Sequence, residues 1–146
     1  EREYDVSHVG YKYHMNDVAA AIGLGNLEDM EADLIRRREI AALYRSGLTG
    51  ISGIQLLDYN DDRESANWFF PLLVEKRVDF ITNLGRNGIP ASVVHLRIDT
   101  NSVFGGMNED LLSQERFNNN QVALPIHREI TDEQICEIIN CVRQGW

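Results

Sequence analysis

The amino-acid sequence predicts a two-layer α/β sandwich, a small sheet with helices on one side. Three observations point to it. Segments with apolar residues three and four apart occupy the first third of the chain and its C-terminal end. Short apolar runs bounded by Gly, Pro, Asn and Asp lie between them. The 146 residues, 43% hydrophobic and 25% charged, suit one hydrophobic core at ordinary globular composition.

Asn16 or Asp17 is placed to cap a helix that opens Val18-Ala19-Ala20-Ala21-Ile22, a small-residue surface able to pack closely. Gly23 and Gly25 are expected to loosen it, and Asn26 to cap a second, longer helix. In that helix Leu27, Met30, Leu34, Ala41, Tyr44 and Leu48 form one apolar face. Its acids, Glu28, Asp29, Glu31 and Asp33, precede its bases, Arg36, Arg37, Arg38 and Arg45, as the helix dipole favours. The arginine triplet reads either as a phosphate patch or as a solvated face on which Asp33 pairs with Arg37.

Gly47, Gly50 and Gly53 punctuate the chain before a short strand at 54–57. Residues 58–67 are a polar loop. Residues 68–75 read as a mostly buried strand, with Pro71 arguing for an edge or a bulge. Asp79, Phe80, Ile81 and Leu84 make a short helix stopped by Asn87-Gly88. Residues 91–96 are a further strand candidate, and 99–120 an irregular stretch with one helical turn near Leu111. Residues 121–126 form the last strand. Thr131 and Gln134 are a capping box for a final helix whose Ile135, Ile138, Ile139 and Val142 face the core.

Charge and composition exclude several functions. With 14 Lys and Arg against 23 Asp and Glu, the net charge of −9 disfavours nucleic acid and anionic membrane surfaces as partners. Apolar runs are far too short to span a bilayer, and no signal peptide is visible. A cytoplasmic domain is the expectation. Cys136 and Cys141 lie five apart in a helix and so point about 140° apart, as small hydrophobes with no bridge between them. No second Cys or His pair has metal-ligand spacing, so no metal site is expected. The chain begins Glu-Arg-Glu-Tyr, with no Met and no capped or periodic opening. It reads as a piece of a longer polypeptide.

The scarce reactive groups are four histidines and two lysines. Lys12 and His14 sit among Tyr11, Tyr13 and Met15, directly before a helix N-terminus. This cluster could hold a phosphate or a carboxylate. Equally, it reads as a loop whose tyrosines pack and whose lysine is solvated. His95 ends an apolar strand, where α/β domains often present site residues; the plainer reading is a bond to backbone carbonyls. His127 has the character of a structural residue, and His8 is uninformative. No Ser/His/Asp order, phosphate-binding loop or dinucleotide fingerprint is present.

The order of motifs nevertheless resembles one family. Gly10-Tyr11-Lys12-Tyr13-His14-Met15-Asn16-Asp17, followed by Ala20-Ala21-Ile22-Gly23-Leu24, is similar to the "GYNYRM…AAIGL" stretch of DegT/DnrJ/EryC1/StrS aminotransferases. The likeness continues through Arg36-Arg37-Arg38, Tyr44, Trp68-Phe69-Phe70-Pro71-Leu72 and Gly88-Ile89. It reaches on through Val94-His95, Ser102-Val103-Phe104 and Ala123-Leu124-Pro125-Ile126-His127 to Thr131-Asp132-Glu133.

The resemblance implies a pyridoxal-phosphate enzyme acting on nucleotide-linked keto sugars with an amino-acid donor, commonly glutamate. It implies that residues 1–146 are the C-terminal small domain of a fold type I aminotransferase, in a homodimer with shared active sites. The upstream large domain would then hold most of the cofactor and the Schiff-base lysine. Neither Lys12 nor Lys76 has that lysine's context, so this piece alone is expected to be inactive and to hold no catalytic residue. Lys12 stands where the family's Asn reaches the cofactor phosphate, with Tyr13 beside it. His14 stands at the family's Arg. His95 matches the strand-end His near the sugar-nucleotide site, and Arg97 is placed to contact a diphosphate. Relatives that dehydrate sugars share the fold, and a stand-alone ligand-binding or interaction domain is the non-enzymatic alternative. An apolar patch at residues 18–24 left open for a docked partner would argue against that alternative.

Overall fold

The structure, a computed structural model, describes residue 11 and residues 13–60, 62–104 and 106–146. Contacts divide the chain into two compact units that meet in sequence between Glu31 and Ala32.

Helix α1 is a single helix, Asp17–Leu48. Gly23, Gly25 and Asn26 do not interrupt it, contrary to expectation. A helical glycine costs about 1 kcal/mol relative to alanine, and no proline is present to break the backbone ladder. Asn16 caps the helix, its Oδ1 accepting from the Ala19 N–H at 2.8 Å. Along the part of α1 before Ala32, the apolar side chains of Val18, Ile22, Leu24, Leu27 and Met30 are exposed. Leu27 and Met30 therefore do not join the core face assigned to them, whereas Ala41, Tyr44 and Leu48 do.

The second unit is built on a three-stranded antiparallel sheet in the order β1-β2-β3, with β1 at Ile54–Leu56, β2 at Phe70–Val74 and β3 at Gln121–Leu124. Phe70 pairs with Leu124 and Leu72 with Val122, so these four share one pleat face with Val74. That face meets Ile40, Tyr44 and Leu48 of α1, Phe80 and Leu84 of α2 (Arg77–Arg86), and Ile135, Ile138, Ile139 and Val142 of α4 (Asp132–Arg143) in one core. Tyr44 is fully buried, donates to the Pro125 carbonyl at 2.9 Å and packs on Phe70 with ring centroids 5.0 Å apart. Burial drives its phenol pKa upward. The capping box of α4 forms as read: Gln134 N–H donates to Thr131 Oγ1 and Thr131 N–H to Gln134 Oε1.

Pro71 lies in the central strand, yet its environment is locally that of an edge. It pairs with Ala123, whose N–H and C=O both turn away from β2 to bond Ser92. In such a pair the proline nitrogen also points away, toward β1, and β1 ends at Leu56 opposite Leu72. No ladder bond is lost. The strand expected at 91–96 reduces to that single Ser92–Ala123 bridge, because Pro90 precedes it and His95 adopts a left-handed φ of 62°. The stretch expected to be irregular holds two single 3₁₀ turns, Ile98–Thr100 and Ser102–Phe104, and a nine-residue helix α3, Leu112–Asn120.

Gly47 is not punctuation. It is buried in the last turns of α1, where Ile139 of α4 closes on it. The arginine triplet acts as a set of staples: Arg36 donates to the Ile130 carbonyl and pairs with Asp132, Arg37 donates to the Trp68 carbonyl, and Arg38 to the Ser65 carbonyl. The Asp33–Arg37 pair forms at 3.7 Å. Asp132 holds the Arg36 guanidinium pKa above its ordinary value. Both cysteines are free as expected, but Cys136 is exposed and only Cys141 joins the core.

Candidate functional site

Two places carry the residues singled out from the sequence, one in each unit. In the first, Lys12 lies outside the described residues, as does His8. Tyr11 and Tyr13 are more than four-fifths exposed, their rings 5.9 Å apart, and His14 is exposed beside them. Among the described residues neither ring is buried. The segment ends at the Asn16 cap, where the first turn of α1 directs backbone N–H groups and its positive dipole end outward. Phenol, imidazole and helix N-terminus make a donor set suited to an anion, and the two exposed tyrosine rings offer flat faces as well.

The second place is built around His95. Its left-handed backbone is uncommon for a residue with a side chain and is held from several directions. Gln121, 1% exposed at the head of β3, donates from Nε2 to the His95 carbonyl at 3.0 Å. Two residues on, the Arg97 N–H donates to Asn118 Oδ1 of α3 at 3.1 Å. The His95 imidazole is solvent-facing and sits against two aromatic rings, 5.6 Å from both Trp68 and Phe69. Those two rings meet edge to face at 4.6 Å. Trp68 follows Asn67, which is also left-handed (φ 46°) and is fixed by Tyr59 Oη and Ser65 Oγ. The Arg37 staple holds the Trp68 carbonyl from α1.

Arg97 points the other way. It is 3% exposed and forms a two-bond fork with Asp99, Nε to Oδ1 at 2.8 Å and Nη2 to Oδ2 at 2.5 Å, while Nη2 also donates to the Asn108 carbonyl. Asp99 Oδ2 in turn accepts from the Asn108 N–H. The Arg97 guanidinium, and after it the Asn108 N–H, hold the Asp99 carboxyl far below the ordinary carboxylate range. As placed, Arg97 closes the loop from His95 to Asn108 rather than offering its fork to solvent.

Lys76 is an exposed, left-handed residue at the start of α2, and His127 is exposed after β3. Among the described residues no three His, Cys, Asp or Glu side chains gather as metal ligands, and no helix is long and apolar enough to cross a membrane. Sequence reasoning did not assign site roles to Trp68, Phe69 or Gln121. Gln121 carried a usable signal, a lone amide heading an apolar strand. The convergence of Trp68 with His95, 27 positions later in the sequence, carried none.

Known proteins share this fold. The chain superposes on sugar aminotransferase CalS13 from Micromonospora echinospora with a TM-score of 0.90 and 35% identity, over 99% of this chain and 39% of that one. It matches the pyridoxal-phosphate form of Spr1654, a putative sugar aminotransferase from Streptococcus pneumoniae, with a TM-score of 0.79 and 28% identity over 97% of this chain and 38% of that one. Among curated relatives, GDP-perosamine synthase of Escherichia coli O157:H7 is 27% identical over 95% of this chain and 39% of its own length. The fold is that of fold type I sugar aminotransferases. The chain belongs to the DegT/DnrJ/EryC1/StrS aminotransferase family, whose model matches residues 1–143. It spans about two fifths of the length of these relatives. The family depends on pyridoxal phosphate and serves amino-sugar biosynthesis.

Proposed function

We propose that this chain is the C-terminal small domain of a cytoplasmic aminotransferase that moves an amino group from an amino acid, glutamate by our reading, to a nucleotide-linked keto sugar. The observation that carries this is the superposition on CalS13 over nearly the whole chain. The products are then 2-oxoglutarate and an amino sugar still attached to its nucleotide, supplied to polysaccharide synthesis.

The donor set before α1 fits the phosphate end of pyridoxal phosphate. Lys12 would add a cation and Tyr13 a phenol to the helix N-terminus, and His14 would lie toward the substrate. When bound, the cofactor supplies the electron sink for the exchange. An upstream large domain would hold the rest of it, together with the lysine that carries it. His95 would face the sugar nucleotide, and Arg97 would serve that site by fixing the loop behind it. The exposed apolar side chains of Val18, Ile22, Leu24, Leu27 and Met30 support a docked neighbour, which we read as the large domain and a second subunit of a homodimer.

The test is made on the complete protein that carries this chain. Incubated with pyridoxal phosphate, glutamate and a panel of nucleotide-linked keto sugars, it is expected to release 2-oxoglutarate with at least one of them. Lys12→Ala is expected to weaken cofactor retention in equilibrium dialysis. A complete protein that neither binds pyridoxal phosphate nor consumes glutamate refutes the reading. Unchanged retention in the Lys12 variant refutes the role given to that residue.

A further inference from the structure

We infer that the cleft between the later half of α1 and the loop that follows β1 binds a compact oxyanion, a phosphate group or a dicarboxylate, whatever reaction the complete protein catalyses. Arg38, Ala41, Ala42 and Arg45 line one wall, at spacings of three, four and seven residues that place them on one face of α1. The two arginines lie about 10 Å apart along the helix axis, and the two alanines leave the surface between them without a long side chain. Tyr59 and Arg63 of the loop line the opposite side of the cleft, whose volume is about 240 Å³. That is smaller than the cleft a drug-sized ligand occupies and fits a small anion.

Three guanidinium groups line this cleft with a single carboxylate, Glu64, on a chain whose net charge is −9. Arg45 donates to the Leu57 carbonyl at 2.6 Å and stacks over the Tyr59 ring at 3.9 Å, so its charge has no carboxylate partner among the described residues. Arg38 pairs with Glu64 at 2.9 Å, and Arg63 forks onto the adjacent Asp62, but these carboxylates are 76% and 66% exposed. Exposed pairs contribute little, so an incoming dianion takes over the guanidinium donors at small cost. Arg63 then presents Nε and Nη2, a fork that matches two oxygens of a phosphate or carboxylate. The loop wall is set before any ligand arrives, because Tyr59 Oη donates to Asn67 Oδ1 and the Asn67 N–H donates to Ser65 Oγ.

The experiment again uses the complete protein, with pyridoxal phosphate present to fill the cofactor's own phosphate site. Binding of inorganic phosphate and of succinate is measured by calorimetry, and the two arms tell a phosphate site from a dicarboxylate site. The Arg63 side chain bonds only the adjacent Asp62 among the described residues, so Arg63→Gln should fold normally. It is expected to raise the Kd of the preferred anion about tenfold, the effect of losing one charge-assisted hydrogen bond. Arg63→Lys keeps the charge without the fork and should fall between the two. Glu64→Gln removes the competing carboxylate and should lower the Kd about 2- to 5-fold. Saturating anion should slow hydrogen exchange at the Arg63, Ser65 and Asn67 amides in the wild type but not in Arg63→Gln. A Kd within twofold of wild type in Arg63→Gln overturns the site, as does a wild-type protein that takes up neither anion saturably. Binding that leaves exchange at these amides unchanged lies elsewhere and overturns it too. Turnover enters neither measurement, so failure of the transamination reading leaves this test standing.

Discussion

Gly47 and Ile139 offer a test of packing in which one substitution changes sign with its background. A Cβ placed on Gly47 would lie 2.5 Å from Ile139 Cδ1 and 2.9 Å from its Cγ2, closer than carbon atoms approach. Gly47→Ala therefore combines opposed effects. The helix gains about 1 kcal/mol of propensity. Overpacking in a filled core costs about 1–3 kcal/mol. The net expectation is a loss of roughly 0–2 kcal/mol. Ile139→Ala alone removes the clashing atoms and leaves a cavity, at a cost of about 2–5 kcal/mol. In that background the methyl group introduced by Gly47→Ala points into the space vacated, so the clash disappears. The propensity gain remains, and burial of the methyl adds about 0.8 kcal/mol. Gly47→Ala should thus stabilise the Ile139→Ala protein by about 1–2 kcal/mol while destabilising the wild type or leaving it unchanged. Native-state hydrogen exchange of α4 amides reads this locally, whatever else the complete protein contains. An equal penalty in both backgrounds would refute the assignment of Gly47 as a contact residue and make its role purely conformational.

Two further predictions concern elements that hold the sites. Thr131→Ala removes one half of the α4 capping box and should lower the stability of that helix by about 1 kcal/mol, seen as faster exchange in its first turn, with Thr131→Ser retaining protection. Asp99 has its pKa lowered in the folded state by Arg97, so its contribution to stability is present above the ordinary carboxylate pKa of about 4 and is lost as the pH falls below it toward the folded value. Exchange of the amides from Arg97 to Asn108 should accordingly show no contribution from this carboxylate's titration between pH 5 and 8, rise only in acid, and be fast at all pH in Asp99→Asn. Loop protection that already falls near neutrality would show that another group closes the loop.

Much of the fold was legible because it is local. The capping box at Thr131, the apolar run that contains the strand Phe70–Val74, and the Asn16 cap are set by neighbours within a few residues of each other, and the sequence records them directly. The misreadings came where a local signal was weaker than its surroundings. Gly23 and Gly25 looked like breaks, but a backbone ladder 32 residues long absorbs two glycines at modest cost. Residues 91–96 had strand composition, yet pairing depends on what lies opposite, and β3 offers them one bridge at Ala123 before Pro125 ends it.

By itself the sequence determined the class of fold, its capped helices, its acidic character and the family to which it belongs. Its order of short motifs survives without reference to three dimensions. Only the tertiary structure decided that Arg97 turns inward to Asp99 while His95, two residues away, turns outward to Trp68. Only it decided that Gly47 makes room for Ile139. The reason is physical: propensity and hydrophobic period act over one or two turns of chain, whereas close approach and strained backbone are imposed by partners tens of residues away.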